Sequence, residues 1–153
     1  MARNYHALTT HYNIKFNGRE SYEAGLKQME LGHKEDYSSL LPVFPYNEQS
    51  ASRATGNMNR CIEKCEKAIK THSIRVKPEK QPERNASEKE KLFYSQEEFN
   101  PVMGRVFLLM AKAQFYKADY LSAGSTCSYI IQHFSTDKPL CDEAKIWLAR
   151  SYY

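Results

Sequence analysis

The residues able to do chemistry in this 153-residue chain are few and widely spread. Four cysteines stand at Cys61, Cys65, Cys127 and Cys141. Cys61 and Cys65 are one helical turn apart, and such a pair can bind a metal or act as a thiol couple. No second Cys or His pair follows at metal-ligand spacing, and the chain is too large and too poor in cysteine for a disulfide-stapled scaffold. The cysteines are therefore read as small apolar core residues, with a thiol or metal role as the alternative. His6 and His11 are five apart and do not share a helix face. His33, His72 and His133 fall near expected helix ends, where a histidine complements the dipole. The acidic pairs Glu35-Asp36 and Glu97-Glu98 are neighbours in sequence rather than carboxylates converging on a cleft, as general acid–base work requires. The glycines are scattered rather than gathered into a phosphate-cradling loop, and no serine has a nucleophile-elbow context. Asn85-Ala86-Ser87 matches a glycosylation acceptor, which matters only in a eukaryotic secretory route. These patterns predict no catalytic residue, no cofactor and no metal site.

The elements that must position these residues are helical. Six glycines and six prolines are few for this length, and that shortage of turn formers favours helices over many short strands. The chain is long enough for one domain with a real core. Its longest apolar run, residues 106–111, is far short of the ~20 needed to span a membrane. A net charge of +4 with 26% charged residues permits acidic partners without demanding nucleic acid. The opening Met1-Ala2-Arg3-Asn4-Tyr5-His6 leads directly into amphipathic sequence, without the regions of a secretory signal. That fits either a cytoplasmic protein or one whose signal has been removed ahead of Met1.

Three regions are expected: an N-terminal helical region over 1–73, a polar linker or long loop over 74–91, and a helical repeat with the start of the next over 92–153. In the first, Leu8, Tyr12 and Phe16, then Tyr22, Leu26 and Met29, predict two helices. Asn17-Gly18 is expected to be the turn of a hairpin between them. Residues 37–46 carry Leu40-Leu41-Pro42-Val43-Phe44-Pro45-Tyr46. Two prolines there exclude a helix and predict an extended strap that buries Leu41, Val43 and Phe44 in a groove or docks a partner. The clearest single helix covers 49–72. Ala51, Ala54, Met58, Cys61, Ile62, Cys65 and Ile69 fall within about 100° of one another at 100° per residue, with Arg53, Arg60, Lys64 and Lys67 opposite. That basic face is read as solvated, with phosphate or anionic lipid as the alternative.

The last region is the most informative. Asn100-Pro101 predicts a helix start, Asn100 as the N-cap and Pro101 as the first helical residue. Residues 106–111 make that helix apolar nearly all round, so it must be covered on both sides. Ala118-Asp119 ends it and caps the next helix, whose stripe is Tyr120, Ala123, Cys127, Ile130, Ile131 and Phe134. Residues 135–139 break the chain, and a third helix is expected from near Asp142 with Ala144, Trp147, Leu148 and Tyr152 inward. The order aromatic, small, turn, small, apolar, carried by Phe107, Met110, Ala111, Ala118, Ala123, Cys127 and Ile130, is similar to a tetratricopeptide repeat. Leu148-Ala149 and Tyr152 restart the pattern somewhat later than the usual ~34-residue period. The pattern is departed from by Gln114, where an aromatic is common, and by Ala in place of Gly at 111 and 118. One and a third repeats cannot form a stable solenoid alone, so the chain is expected to be the front of a longer protein.

A narrower resemblance covers nearly the whole chain. It rests on His11-Tyr12-Asn13 with Phe16-Asn17-Gly18, the strap, Ala68-Ile69-Lys70 with His72-Ser73-Ile74, Glu98-Phe99-Asn100-Pro101, and the run from Leu108 to Tyr116. Together these resemble the N-terminal region of the PorW/SprE family, tetratricopeptide lipoproteins of the type IX secretion and gliding-motility machinery. The resemblance implies an all-α solenoid of stacked helical hairpins in a lipoprotein at the periplasmic face of the outer membrane. It further implies a scaffold whose protein partners are other secretion subunits. The family's lipidated cysteine is absent here, so membrane contact would run only through an anchor outside this chain. In tetratricopeptide arrays the first helix of each repeat lines the concave side, which makes Arg105, Leu108, Lys112, Phe115 and Tyr116 the expected binding residues. Phe115 and Tyr116 have a second reading, packing against the strap or the next helix. Two other functions stay open from the residues alone. One is a generic cytoplasmic adaptor gripping a peptide tail through Lys112 and Arg105. The other is attachment to an anionic surface or nucleic acid by Arg53, Arg60, Lys64, Lys67 and Lys70, which would be steeply salt-dependent.

Overall fold

In the computed structural model, which describes residues 2–35, 37–38, 40–41, 48–79 and 85–152, the chain is all-α, with no strand among the described residues. Helix α1 (Ala2–Thr9) runs through a π-helical segment, Thr10–Lys15, directly into α2 (Phe16–Gly32). Then follow α3 (Glu48–His72), α4 (Glu88–Ser95), α5 (Met103–Tyr116), α6 (Tyr120–His133) and α7 (Lys138–Tyr152). Helix α2 packs on α3, α3 on α5, α5 on α6 and α6 on α7, and α5 also touches both α2 and α7. The result is a row of helical hairpins packed side by side. One core runs through the row, from Met29, Met58 and Cys61 to Val106, Ile130 and Leu140.

The N-terminal hairpin expected from Asn17-Gly18 does not form. The chain is helical without a break across these residues, and the hairpin partner of α2 is α3. Gly18 makes no turn: it is buried within the continuous helix, where a Cβ would make only ordinary contact with Leu109 and Lys64. The stripe expected to be internal also divides. Met29 is buried and Tyr22 and Leu26 pack against the core, whereas Leu8, Tyr12 and Phe16 are 60%, 66% and 67% exposed. The inward contacts at the start of the chain are polar instead. Thr10 is fully buried, and its hydroxyl donates to the His6 carbonyl at 2.7 Å.

Helix α3 matches its expected span and face, with Ala51, Ala54, Met58, Cys61, Cys65 and Ala68 buried. Arg53, Arg60, Lys64 and Lys67 are exposed on its other side. Of residues 37–46, only Tyr37, Ser38, Leu40 and Leu41 are described. Leu40 is 98% and Leu41 45% exposed, so Leu41 is not buried as expected. The expected burial of Val43 and Phe44 lies outside the described residues. The polar stretch 74–91 is not wholly a linker, because α4 begins inside it at Glu88. Ser87 and Glu90 form a reciprocal capping box that satisfies two orphan backbone donors and lets a short, weakly amphipathic helix start.

The α5–α6 hairpin follows the expected pattern. Asn100 accepts from the Val102 N–H at 3.1 Å, the bond an N-cap makes to the second helical residue. The regular helix settles only at Met103, after the turn at Pro101 and Val102. Ala118 adopts φ 67°, a left-handed backbone that costs an L-residue roughly 1–2 kcal/mol. It is held there by the Ala118 N–H on the Phe115 carbonyl and the Asp119 N–H on the Gln114 carbonyl, the paired bonds of a Schellman end. Asp119 then caps α6 through the Ser122 N–H. The position where an aromatic is common is used differently: the Thr126 hydroxyl donates to the Gln114 amide oxygen at 2.8 Å and ties α6 to α5. Helix α7 begins four residues before Asp142. Asp137 accepts from the Leu140 N–H at 3.1 Å, and a proline at 139 is tolerated in an opening turn. Ala144 is buried and Trp147 and Leu148 are half-buried, but Tyr152, expected inward, is 83% exposed.

All four cysteines are free and buried, which settles them as core residues. A hydrogen bond with Cys61 and then burial hold the Cys65 thiol well above its ordinary range, and burial pushes Cys127 up to about 11. Such thiols stay protonated at neutral pH and are poor nucleophiles.

A polar cluster fastens α1 and α3 to the start of α5. Asn100, 1% exposed, donates to the Thr10 hydroxyl at 3.1 Å and to the His72 carbonyl at 2.9 Å. Glu98 accepts from the Ile74 N–H at 2.7 Å and from the Asn100 N–H at 2.9 Å, and the Ser73 hydroxyl donates to its other oxygen. His6 and His72 face each other with Nδ1 atoms 3.0 Å apart, which requires one of the two nitrogens to be unprotonated. Replacing Asn100 by Ala removes the partner of the His72 carbonyl and of the Val102 N–H, and should lower unfolding free energy by about 2–4 kcal/mol. Urea denaturation of the Asn100→Ala variant checks this.

Burial, and then the neighbouring His6 ring, hold the His72 imidazole below its ordinary 6.5. The unfolded chain therefore takes up this proton at a higher pH than the folded one. The stability is full above 6.5 and is lost as pH falls through the folded value. The urea midpoint should drop as pH falls below 6.5, and the drop should be smaller in His72→Gln, which keeps a donor toward His6 but cannot titrate. An equal drop in both proteins would refute the assignment.

Candidate functional site

Three of the five side chains singled out on α5, Arg105, Leu108 and Lys112, line a groove between α2, α5 and α7. Its cavity is about 350 Å³, near the lower end of the ~300–1,000 Å³ range of ligand-sized clefts. Tyr22, Arg19 and Glu23 of α2 form one wall, and Arg105, Leu108, Leu109 and Lys112 of α5 form the floor. Glu143 of α7 closes the other side. Helical spacing explains the floor, since 105, 108, 109 and 112 lie three or four apart and share one face.

Of the five expected binding residues, Arg105 and Lys112 present charge to the groove. Lys112 Nζ lies 2.6 Å from Glu143 and 5.4 Å from the Trp147 ring centroid. Arg105 reaches the same carboxylate at 3.8 Å. Leu108 is only 3% exposed. It belongs to the core beneath the groove, and its reading as an exposed contact is corrected accordingly. Phe115 packs on the next helix, α6, at Tyr120, 5.3 Å between rings, and both Phe115 and Tyr116 pack on α7, a contact not expected from the sequence. Their rings sit 5.4 Å and 5.8 Å from that of Trp147, and Tyr116 also meets Tyr22 at 5.9 Å. The Arg150 guanidinium lies over Trp147 at 4.3 Å and over Phe115 at 4.9 Å. Stacking a cation on an aromatic face is worth about 0.5–1 kcal/mol at an exposed site and restricts the side chain's freedom.

Tyr22, Glu143 and Trp147 complete the site and were not among the residues picked out for binding. Tyr22 was legible as a helix-face residue and Trp147 as an inward one, but nothing local in the sequence places them opposite Lys112. Burial, and next the Tyr116 ring, push the Tyr22 hydroxyl well above its ordinary value, so it stays a neutral hydrogen-bond donor at physiological pH.

Chemically the arrangement can bind but has little with which to react. Its ionisable groups are already engaged with one another, as the Arg19–Glu23 pair at 2.6 Å also illustrates. Among the described residues no three His, Cys, Asp or Glu side chains stand close enough to hold a metal, and no helix is long and apolar enough to cross a membrane. The chain matches no protein-family model and no curated protein.

The Lys112–Glu143 pair, with side chains 23% and 36% exposed, should couple by roughly 1 kcal/mol, and the looser Arg105–Glu143 pair by less than about half of that. Double-mutant cycles with Lys112→Gln, Arg105→Gln and Glu143→Gln, read by urea denaturation, measure both couplings. Equal couplings would contradict the geometry.

Proposed function

We propose that this chain is a non-enzymatic interaction scaffold that grips a segment of a partner protein in the groove between α2, α5 and α7. The observation that carries the reading is the groove itself. It combines an apolar floor at Leu109, lying over the buried Leu108, with a charged rim, Arg105, Lys112 and Glu143. A buried apolar centre with a polar rim is how protein interfaces are generally built. Rigid helices hold the rim, so little ordering entropy is lost on binding.

The ordered sequence landmarks that resemble the PorW/SprE family support a more specific role. In that reading the hairpin row is the tetratricopeptide front of a type IX secretion or gliding-motility scaffold. It faces the periplasm from the outer membrane and contacts other subunits of the machinery.

The test is site-specific photocrosslinking in the native cell, with the crosslinker at position 105 in the groove and, as a control, at position 67 on the exposed side of α3. Adducts with envelope components of the secretion machinery at 105 and not at 67 are the expected result. Adducts only with cytoplasmic proteins would overturn the secretion role and leave a cytoplasmic adaptor. Equal labelling at both positions would overturn the groove.

A further inference from the structure

The groove's charge identifies the kind of segment it takes. Glu143 is a single carboxylate set between two cations, Lys112 at 2.6 Å and Arg105 at 3.8 Å. One negative charge cannot neutralise both, and Arg105 is held at the longer distance with a side chain still 53% exposed. On the opposite wall Arg19 is matched by Glu23 at 2.6 Å, so that wall adds no net charge. Positive potential is therefore in excess along the α5–α7 side, and a partly desolvated cleft strengthens its effect.

We infer that the groove takes an acidic, extended segment of a partner protein, whose carboxylate replaces or joins Glu143 between Lys112 and Arg105; this rests on the groove being the binding site. Glu143 is in this view an internal stand-in for the partner. It keeps Lys112 aimed across the Trp147 face while the site is empty, and yields when a second carboxylate arrives. Lys112 is the anchor because it is the less exposed of the two cations, at 23%, and is positioned from two directions by Glu143 and Trp147. Arg105, nearer the mouth, has donors left for a second acidic group, since a guanidinium carries five N–H donors. An extended segment suits the cavity of about 350 Å³, because a helix with its side chains is 10–12 Å across. Alternate side chains of an extended strand would point to the Leu109 floor and to the cationic side.

Replacing Glu143 gives a test whose sign depends on the partner's charge. If the partner is acidic, Glu143 competes with it, and Glu143→Gln tightens binding. If the partner is basic, Glu143 is a contact, and the same change weakens binding. The experiment is fluorescence anisotropy with the full 153-residue chain and three end-blocked, labelled decapeptides that alternate leucine with glutamate, glutamine or lysine. The glutamate peptide should bind tightest, its affinity falling as salt rises. Lys112→Gln and Arg105→Gln should each weaken it about five-fold, and Glu143→Gln should tighten it by about the same factor, one modest ion-pair contact in each case. Lys67→Gln, on the exposed face of α3, should change nothing, which separates the groove from general attraction to a cationic chain. Circular dichroism confirms that each variant is folded, and the two cation variants provide independent readings. Tightest binding by the glutamine or lysine peptide, or weakening by Glu143→Gln, overturns the acidic class and leaves the groove standing. Binding by none of the three, or binding indifferent to every groove substitution, overturns the groove together with it.

Discussion

Everything else in this structure hangs on a buried asparagine. Asn100 is 1% exposed, and a primary amide taken that far from water costs several kcal/mol unless its donors and acceptor are met. Here both donors and the acceptor are used, on Thr10, the His72 carbonyl and the Val102 N–H. Those partners belong to three different places: the π-helical segment of the first helix, the C-terminal end of α3 and the start of α5. A single side chain thus fixes where the N-terminal hairpin ends relative to where the next one begins. Glu98 works beside it by accepting from the Ser73 hydroxyl and the Ile74 and Asn100 N–H groups. Because unsatisfied buried groups are so unfavourable, the junction has one acceptable arrangement, whereas an apolar contact would tolerate small slides.

That fixed junction produces the groove. With α3 placed against α5, α2 on its outer side is brought to the edge of α5 that α7 approaches from the other direction. Close packing then sets the distances. At Gly104 a Cβ would press on the Leu140 side chain and meet the Phe134 ring at 3.2 Å, so the start of α7 packs closely on α5 there. The ion pairs on the rim contribute little to holding this geometry, since exposed pairs are worth no more than about 1 kcal/mol. Rigidity comes from the core below and the aromatic contacts around Trp147. The rim charges are free to exchange partners without loosening the fold, which is a useful property in a binding surface.

The legible parts of the sequence were those where a local signal and the tertiary environment agree. Helix α3 could be read because its small and apolar residues form one stripe and nothing interrupts it. The α5–α6 turn could be read from Ala118-Asp119, although only the structure shows that Ala118 pays the left-handed strain a glycine would avoid. Asn17-Gly18 misled because a turn dipeptide is also tolerated inside a helix, and the packing of α2 on α3 keeps the helix unbroken there. The helix at α4 was hidden in a polar stretch whose Ser87–Glu90 capping box is a start signal that composition obscures. At the groove, Arg105 and Lys112 could be found from the face they share. Glu143 and Trp147 could not, because their importance lies in an approach between helices far apart in sequence.

The first helix shows why apolar periodicity alone is an incomplete guide. Its repeat of Leu8, Tyr12 and Phe16 is regular, yet these three face outward. The inward side carries His6 and Thr10, whose partners are His72 and Asn100, with Arg3 on the Phe99 carbonyl at 2.8 Å. A stripe specifies that a helix has two different faces; which one is buried depends on what the rest of the fold offers. Here the fold offers a carbonyl, an imidazole and an amide rather than a hydrophobic surface, and a directional hydrogen-bonded seam forms where an apolar one was expected. The chain is therefore held together in two ways. From α2 onward an apolar core is joined by the Asn100 and Glu98 contacts between α3 and α5, whereas α1 is held by directional hydrogen bonds and by His6 facing His72. Burial, and then His6, keep the His72 imidazole below its ordinary range, so the attachment of the N-terminal seam is sensitive to acid.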